Sequence, residues 1–474
     1  MTHPVDLPTW WPRGRDFGRG SIAVVDPYLG RHIADVPVAT VDDVDDAVRR
    51  AAVRLPPPPP VERAEILERA ARIVSDRCDD FARVIALEAG KPLKQARGEV
   101  LRCVDTLVFS AVEARSMSGS MVPMEGSAAG VGKLGIVVRE PVGVIGAIAP
   151  FNFPLNLVTH KVGPAIAAGC PIVLKPASKT PLSALGLAAV LQEAGLAEDA
   201  LQVIPGGGDV GQAIAEHPDV ALVSFTGSHT VGRSLQAAVP GKPVLLELGN
   251  ATPVIVAGDA DLDDAAMRIA LSGYTHAGQS CVSVQRVYVE RAVYDDFLER
   301  LVPRVEALRF GDPLDPQTDV GPVIDPDAAD RILTVIREAE TAGGVVRVGG
   351  DTIDGHVRPT VVADLPPDCS LSREEVFGPV IGVAAVDSLG EGVDRANATT
   401  LGLQAGIFSG RVDHAIRLAG QLDFGGVLIN ETPTFRADQM PYGGVKESGN
   451  TREGPRSAVR SMTVEKLIVM RLPE

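Results

Sequence analysis

From Pro171 to Gly249 the chain alternates short apolar runs with helix-length amphipathic stretches, and this alternation constrains the fold more than any other feature. "PIVLKP" reads as a buried strand and "TPLSALGLAAVLQEAG" as a helix ended by Gly195. "LQVIPG", "ALVSFTG" and "VLLELG" read as further strands, separated by helices in "DVGQAIAEH" and "HTVGRSLQAAV". Strands separated by helices at this spacing predict an α/β fold, with a parallel sheet and helical crossovers of the dinucleotide-binding kind. A second alternating region starts near Pro253, runs through "VIDPDAADRILTVIREAETAGG" to "GGVLIN", and predicts a separate α/β domain. Upstream, five prolines at Pro56 to Pro60 read as a stiff spacer before one long helical pattern from about Val61 to Ala89. The tail holds "KLIVMRL", an apolar strand with no obvious partner nearby, a liability that pairing with another subunit would cover.

The 474 residues exceed what one core holds and suggest roughly two to four domains. A formal charge of -16 argues against a nucleic-acid or anionic-membrane partner, since both require clustered cations, but leaves a small anionic substrate open. The five cysteines are scattered, without CxxC or Cys/His ligand spacing, so neither a disulfide framework nor a metal site is expected. "MTHPVDLPTWWPRGRD" lacks the basic start and apolar core of a signal peptide. The longest uncharged stretch, Pro141 to Thr159, is broken by Gly143, Gly146, Pro150 and Pro154, against a membrane span. The expectation is a soluble cytoplasmic protein in a reducing compartment.

Within this frame "YTHAGQSCVSVQRVYV" places Cys281 between a small polar turn and a strand-like alternation. A thiol at the mouth of a turn is a candidate nucleophile, although a free cysteine more often acts as an inert small hydrophobe. In "APFNFPLNLVTHK", Asn152 lies in a bend between strand and helix, where its amide would either stabilise an oxyanion or cap the helix. In "LLELGNATPVIV", Glu247 ends a buried strand, as a general base or an ordinary strand-end acid. "SFTGSHTVG" would bring a pyrophosphate to a helix start at Gly227 and Ser228, though it lacks the GxGxxG spacing. Glu375 and Phe377 in "REEVFGPVIG" would grip a ribose and pack on a ring, or merely form a turn.

"PFNFP", "LKPASKTP", "FTGSHTVG", "LELGN", "GQSC" and "EEVFGPV", in this order, resemble the NAD(P)-dependent aldehyde dehydrogenase superfamily, from about Ile22 to the C-terminal strand. The resemblance implies Cys281 as nucleophile, Asn152 with the Cys281 backbone N–H as oxyanion donors, Glu247 as general base, and Lys161 and Glu453 as a proton relay. It implies NAD or NADP held by Lys175, Ser178, Gly208, Phe225, Thr226, Gly227, Ser228, Val231, Leu248, Gly249, Glu375 and Phe377, with no metal. It implies a Rossmann-like cofactor domain over 1–117 and 141–249 and an α/β catalytic domain over 250–447. Segments 118–140 and 448–474 would form a small bridging sheet through which a homodimer or homotetramer assembles.

Two positions depart from the commonest family pattern. Ser178 stands where NAD-preferring relatives often carry glutamate, which makes NADP acceptable without excluding NAD, while Asp209 would oppose a 2′-phosphate. Asn250 replaces a glycine and would adopt the same backbone angle, because asparagine tolerates positive φ. "FNFPLNLVTHKVGPAI" and "INETPTFRADQMPYGGVKESG" look most like the branch acting on lactaldehyde, glyceraldehyde 3-phosphate or phosphonoacetaldehyde. A short polar or anionic aldehyde is therefore expected, contacted by Leu157, His160, Ser280, Arg436 and Tyr442, with His160 and Arg436 at its tail. For Arg436 a structural salt bridge is the alternative. A semialdehyde or broad-specificity enzyme is the alternative function; a CoA-acylating enzyme and a non-catalytic binding protein are remoter ones.

Overall fold

The computed structural model describes residues 7–473 except 13, 19, 54 and 55; the signal-peptide reading falls partly on residues 1–6, outside them. β1 (Ser21–Val25) and β2 (His32–Pro37) form an antiparallel ribbon ahead of α1 (Val41–Ala52). The helical pattern after the prolines is two helices, α2 (Pro60–Asp76) and α3 (Cys78–Ala89), where one was expected. Arg77 breaks them at φ -103°, ψ 24°; its guanidinium meets both Glu193 oxygens at 2.8 and 2.9 Å and lies 4.4 Å above the Trp10 ring. Both helices pack on α4 (Leu93–Ser116).

β3 (Ser120–Val122) and β4 (Lys133–Pro141) belong to a three-stranded antiparallel sheet. Its third member is the C-terminal strand Thr463–Arg471, paired with β4 from Thr463↔Pro141 to Arg471↔Lys133. The expected lack of a partner is therefore corrected: the hydrogen-bonding partner lies in the same chain, about 330 residues back and invisible to a local reading.

The cofactor-type sheet is parallel throughout, in the order β7 (Leu201–Val203), β6 (Ile172–Lys175), β5 (Val144–Ile148), β8 (Val220–Thr226), β9 (Val244–Glu247). The chain winds outward from β5 through β6 to β7, then returns to the other side of β5 for β8 and β9. The β5/β8 boundary is thus a topological switch point, where open α/β sheets bind ligands beyond the strands' carboxyl ends. The loops leaving there carry Asn152 and Gly227. The helices crossing over are α5 (Asn156–Ala168), α6 (Leu182–Glu193), α7 (Gly208–Glu216) and α8 (His229–Ala238). Every residue of α5 is buried, and its polar side chains Asn156, Thr159, His160 and Lys161 are all hydrogen-bonded.

A seven-stranded sheet follows, ordered Val345–Val348, Thr360–Ala363, Val380–Val386, β11 (Val284–Glu290), β10 (Thr252–Val256), Gln404–Phe408 and Gly426–Ile429; only its first strand is antiparallel. β11 alternates in sequence yet is buried on both faces. Its Arg286 is fully buried and donates to the carbonyls of Ala251, Ser372 and Ala396. Among the described residues no helix is long and apolar enough to cross a membrane, and no His/Cys/Asp/Glu cluster has the geometry of a metal site.

Candidate active site

The approach to Cys281 is a left-handed turn. After α9 (Leu262–Tyr274), His276, Ala277 and Gly278 have φ of 51°, 53° and 70°. A Cβ on Gly278 would lie 1.9 Å from the Gly378 carbonyl oxygen, so no side chain fits there. Gln279 locks the turn: its amide donates to the His276 carbonyl at 3.1 Å, and its Oε1 accepts from the Ile324 N–H at 2.8 Å. Cys281 emerges just ahead of β11, packed against Val282, Leu403 and Tyr442, with Sγ 2.8 Å from the Tyr442 hydroxyl. Burial pushes the thiol up to about 12; Tyr442 and Arg436 pull it down, while Glu375 and Glu247 push it further up.

Asn152 does not cap the helix after it. The free N–H groups of Leu155 and Asn156 at the start of α5 go to Glu99 of α4, at 2.9 and 3.1 Å. The Asn152 amide instead donates to the Gln279 carbonyl at 2.9 Å, and its Oδ1 is buried without a partner. One backbone carbonyl thus ties the bend after β5 to the turn that presents Cys281, leaving a second amide N–H unspent.

Glu247 ends β9 at 5% exposure, and neither carboxylate oxygen has a hydrogen-bond partner. Burial and the Glu453 charge raise its pKa well above the usual carboxylate range. Gly443 makes room for it: a Cβ there would stand 2.8 Å from Oε1. Beside it Lys161 donates to Thr226 and Ser224 at 2.7 and 3.1 Å and lies 4.0 Å from Glu453. A cavity of about 10 Å³, room for about one water, lies between Glu247, Glu453, His160 and Ser224.

The expected tail contacts are drawn into this interior. Arg436 is 6% exposed in its side chain, bonds Glu453 at 3.0 Å and stacks 3.9 Å over the Tyr442 ring. His160 meets Asp438 at 2.9 Å; burial and the Arg436 charge lower its pKa to about 4, leaving it neutral at neutral pH. Asp438 and Glu453 already bond these two side chains, while Arg436 Nε has no partner. Arg102 grips Asp438 at 3.0 and 3.2 Å and is 28% exposed, so it is the cation of this cluster that reaches solvent. Leu157 and Ser280 are buried beside the same elements.

Most of the residues expected to hold a dinucleotide lie at or just beyond the carboxyl ends of β6, β8 and β9. Lys175 is buried, with only the Pro176 carbonyl, 3.2 Å away, on its amine. Ser178 donates to the Gly206 carbonyl at 2.8 Å, Gly208 opens α7 with free space around its Cα, and Val231 is half exposed. Phe225 packs beneath Gly227, Ser228 precedes α8, and Leu248 is buried. Glu375 presses so close to Gly249 that a Cβ would meet its oxygen at 2.1 Å; it accepts one bond, from the Asn250 N–H, and burial raises it to about 7. Phe377 adopts φ 50° and meets the Phe151 ring edge-on at 5.8 Å. A buried amine and a buried carboxylate, each short of partners, fit ribose hydroxyls.

One reading changes at this face, while the Thr226 hydroxyl, expected at the dinucleotide, accepts from Lys161. Asn250 does not adopt positive φ; it bridges Thr252 Oγ1 and the Gln404 carbonyl, both at 2.9 Å. Sequence reasoning missed Gln279, Glu99, Asp438 and Gly443. Gln279 lies in the "GQ" ahead of Cys281, and Asp438 and Gly443 lie in "INETPTFRADQMPYGGVKESG"; only Glu99 falls outside the quoted stretches.

The aldehyde dehydrogenase family model matches residues 14–468. The chain is 41% identical over 451 residues to 3-sulfolactaldehyde dehydrogenase of Priestia aryabhattai, covering 95% of this chain and 94% of that one. It is 38% identical to lactaldehyde dehydrogenase of Methanococcus maripaludis, covering 95% and 97%. The crystal structure of aldehyde dehydrogenase 21 from Physcomitrella patens, in complex with the reaction product succinate, superposes with a TM-score of 0.95 at 37% identity, covering 99% of each chain. The chain belongs to the aldehyde dehydrogenase family, and so to a class of NAD- or NADP-dependent oxidoreductases.

Proposed function

We propose that the protein oxidises a short, hydrophilic, anionic aldehyde to its carboxylic acid through a thioester on Cys281. The observation that carries this is Glu247, a buried carboxylate with no hydrogen-bond partner whose charge the Cys281 thiol feels. A carboxylate kept dry and raised in pKa is primed to take a proton.

The Cys281 proton passes to solvent water, and the thiolate adds to the aldehyde carbon while the carbonyl electrons move to oxygen. The unspent N–H of Asn152 and the backbone N–H of Cys281 stabilise that oxyanion. The bound dinucleotide supplies a hydride acceptor, held by Lys175 and Glu375 with Phe377 against its ring. The thioester left on Cys281 is cleaved by water: Glu247 takes its proton, the oxygen adds to the acyl carbon, and the sulfur departs as thiolate. Glu453 and Lys161 carry the proton away. Because this path uses Glu247, it needs no CoA.

Sulfolactaldehyde, lactaldehyde and succinate, the compounds named with the similar proteins, are all short, and two of them carry an acid group beyond the reacting carbon. Arg102, bonded to Asp438 but 28% exposed in its side chain, and Arg436, whose Nε has no partner, are the cations put forward to meet such a group. The same proposal includes the division at 117, 141, 250 and 448 and a homo-oligomer joined through the three-stranded sheet. The test is reduced-nicotinamide formation with NAD and NADP across sulfolactaldehyde, succinic semialdehyde, glyceraldehyde 3-phosphate, lactaldehyde and hexanal. Anionic members should give the highest kcat/KM, and Arg102→Ala should raise KM about 10- to 100-fold for them alone. A preference for hexanal would contradict the substrate assignment.

A further inference from the structure

We propose that the Tyr442 hydroxyl is a catalytic hydrogen-bond donor to the Cys281 sulfur, stabilising the thiolate for attack and again for departure. The inference rests on Cys281 being the nucleophile. The contact is 2.8 Å, and either atom can donate while sulfur is protonated; once the sulfur is a thiolate, only the phenol can. Tyr442 keeps its proton in that exchange, since burial and the adjoining sulfur push it well above its ordinary value.

The donor is held rigidly. Tyr442 forms a backbone bridge with Glu453, its N–H meeting the Glu453 carbonyl at 3.1 Å and its own carbonyl accepting in return at 2.5 Å. Arg436 covers one ring face at 3.9 Å while bonding Glu453 at 3.0 Å, and Val282 and Leu403 pack alongside. A cation over the ring draws electron density from the phenol and strengthens it as a donor. Thiolate nucleophilicity falls only about half as steeply as thiolate population rises, so a one-unit lower thiol pKa gains roughly threefold in attack rate at neutral pH. The same lowering makes sulfur a better leaving group from the thioester.

Tyr442→Phe removes one oxygen and keeps the ring beneath Arg436. The pH profile of Cys281 alkylation by iodoacetamide, read by peptide mass spectrometry without aldehyde or dinucleotide, should move up by about one unit. Difluorotyrosine at position 442, a more acidic phenol, should move it down. Both variants should melt with the wild type. Profiles that superimpose on wild type, or shift the opposite way, overturn the proposal. Because alkylation requires no turnover, a wild-type protein that oxidises no aldehyde would defeat the functional reading separately.

Discussion

At the residue scale the roles proposed for Glu247 and Asn152 each make a distinct prediction. Glu247→Gln should still form one equivalent of reduced nicotinamide in a burst, then turn over about a hundredfold to ten-thousandfold more slowly, because water loses its base. Stopped-flow absorbance separates the two phases; a slowed burst with unchanged steady state would contradict the role. Asn152→Ala should instead slow the burst itself, by about a hundredfold to a thousandfold. Since burial raises the Cys281 thiol to about 12, the protonated form dominates at neutral pH and kcat/KM should climb as pH rises through that range. The residue types were legible from sequence, because a cysteine after "GQS" and a glutamate ending an apolar strand are chemically conspicuous. Their choice between two roles was not. It depends on contacts such as Asn152 to Gln279, 127 residues apart, and on Glu99 taking the capping duty instead.

Helices meet their neighbours through two buried carboxylates at the scale of elements. Glu88 of α3 accepts the N–H groups of Leu182 and Ser183 at the start of α6, at 2.8 and 2.9 Å, and also the Ser183 hydroxyl. Burial outweighs those bonds and raises Glu88 from 4.5 to about 7. The folded state therefore holds its proton more tightly than the unfolded chain does. That stability is fully present below about pH 4.5 and is lost as pH rises through about 7. Melting temperatures of Glu88→Gln should lose this part of the fall between those values; an unchanged wild-type slope would contradict it. Glu99 receives α5 and the buried amine of Lys91, so Glu99→Ala should cost roughly 3–5 kcal/mol in denaturant unfolding by stranding that charge. The strands and helices from Pro171 onward were readable from periodicity alone. The break at Arg77 was not, since the helical pattern runs on through it and its guanidinium partner lies 116 residues away.

The whole molecule places one sheet's switch point against the turn preceding a second sheet, so the proposed nucleophile, base and dinucleotide contacts arrive from six separate parts of the chain. The order of motifs made this assembly legible before the contacts were known. Local patterning gave the C-terminal strand no partner, because antiparallel pairing across the chain leaves no local signature; only the family resemblance grouped 118–140 with 448–474. That strand still shows Val464, Leu467, Ile468, Val469 and Met470 at 41% to 55% exposure, apolar surface suited to a second copy. Leu467→Glu with Val469→Glu should reduce the mass seen by light scattering to that of a single chain; an unchanged oligomer would place the interface elsewhere. The most direct test of the central claim is mass spectrometry of Glu247→Gln quenched after one turnover with NADP or NAD and sulfolactaldehyde. The account predicts an acyl adduct on the Cys281 peptide, stoichiometric with reduced nicotinamide. Reduced nicotinamide formed with no adduct on Cys281 would contradict it.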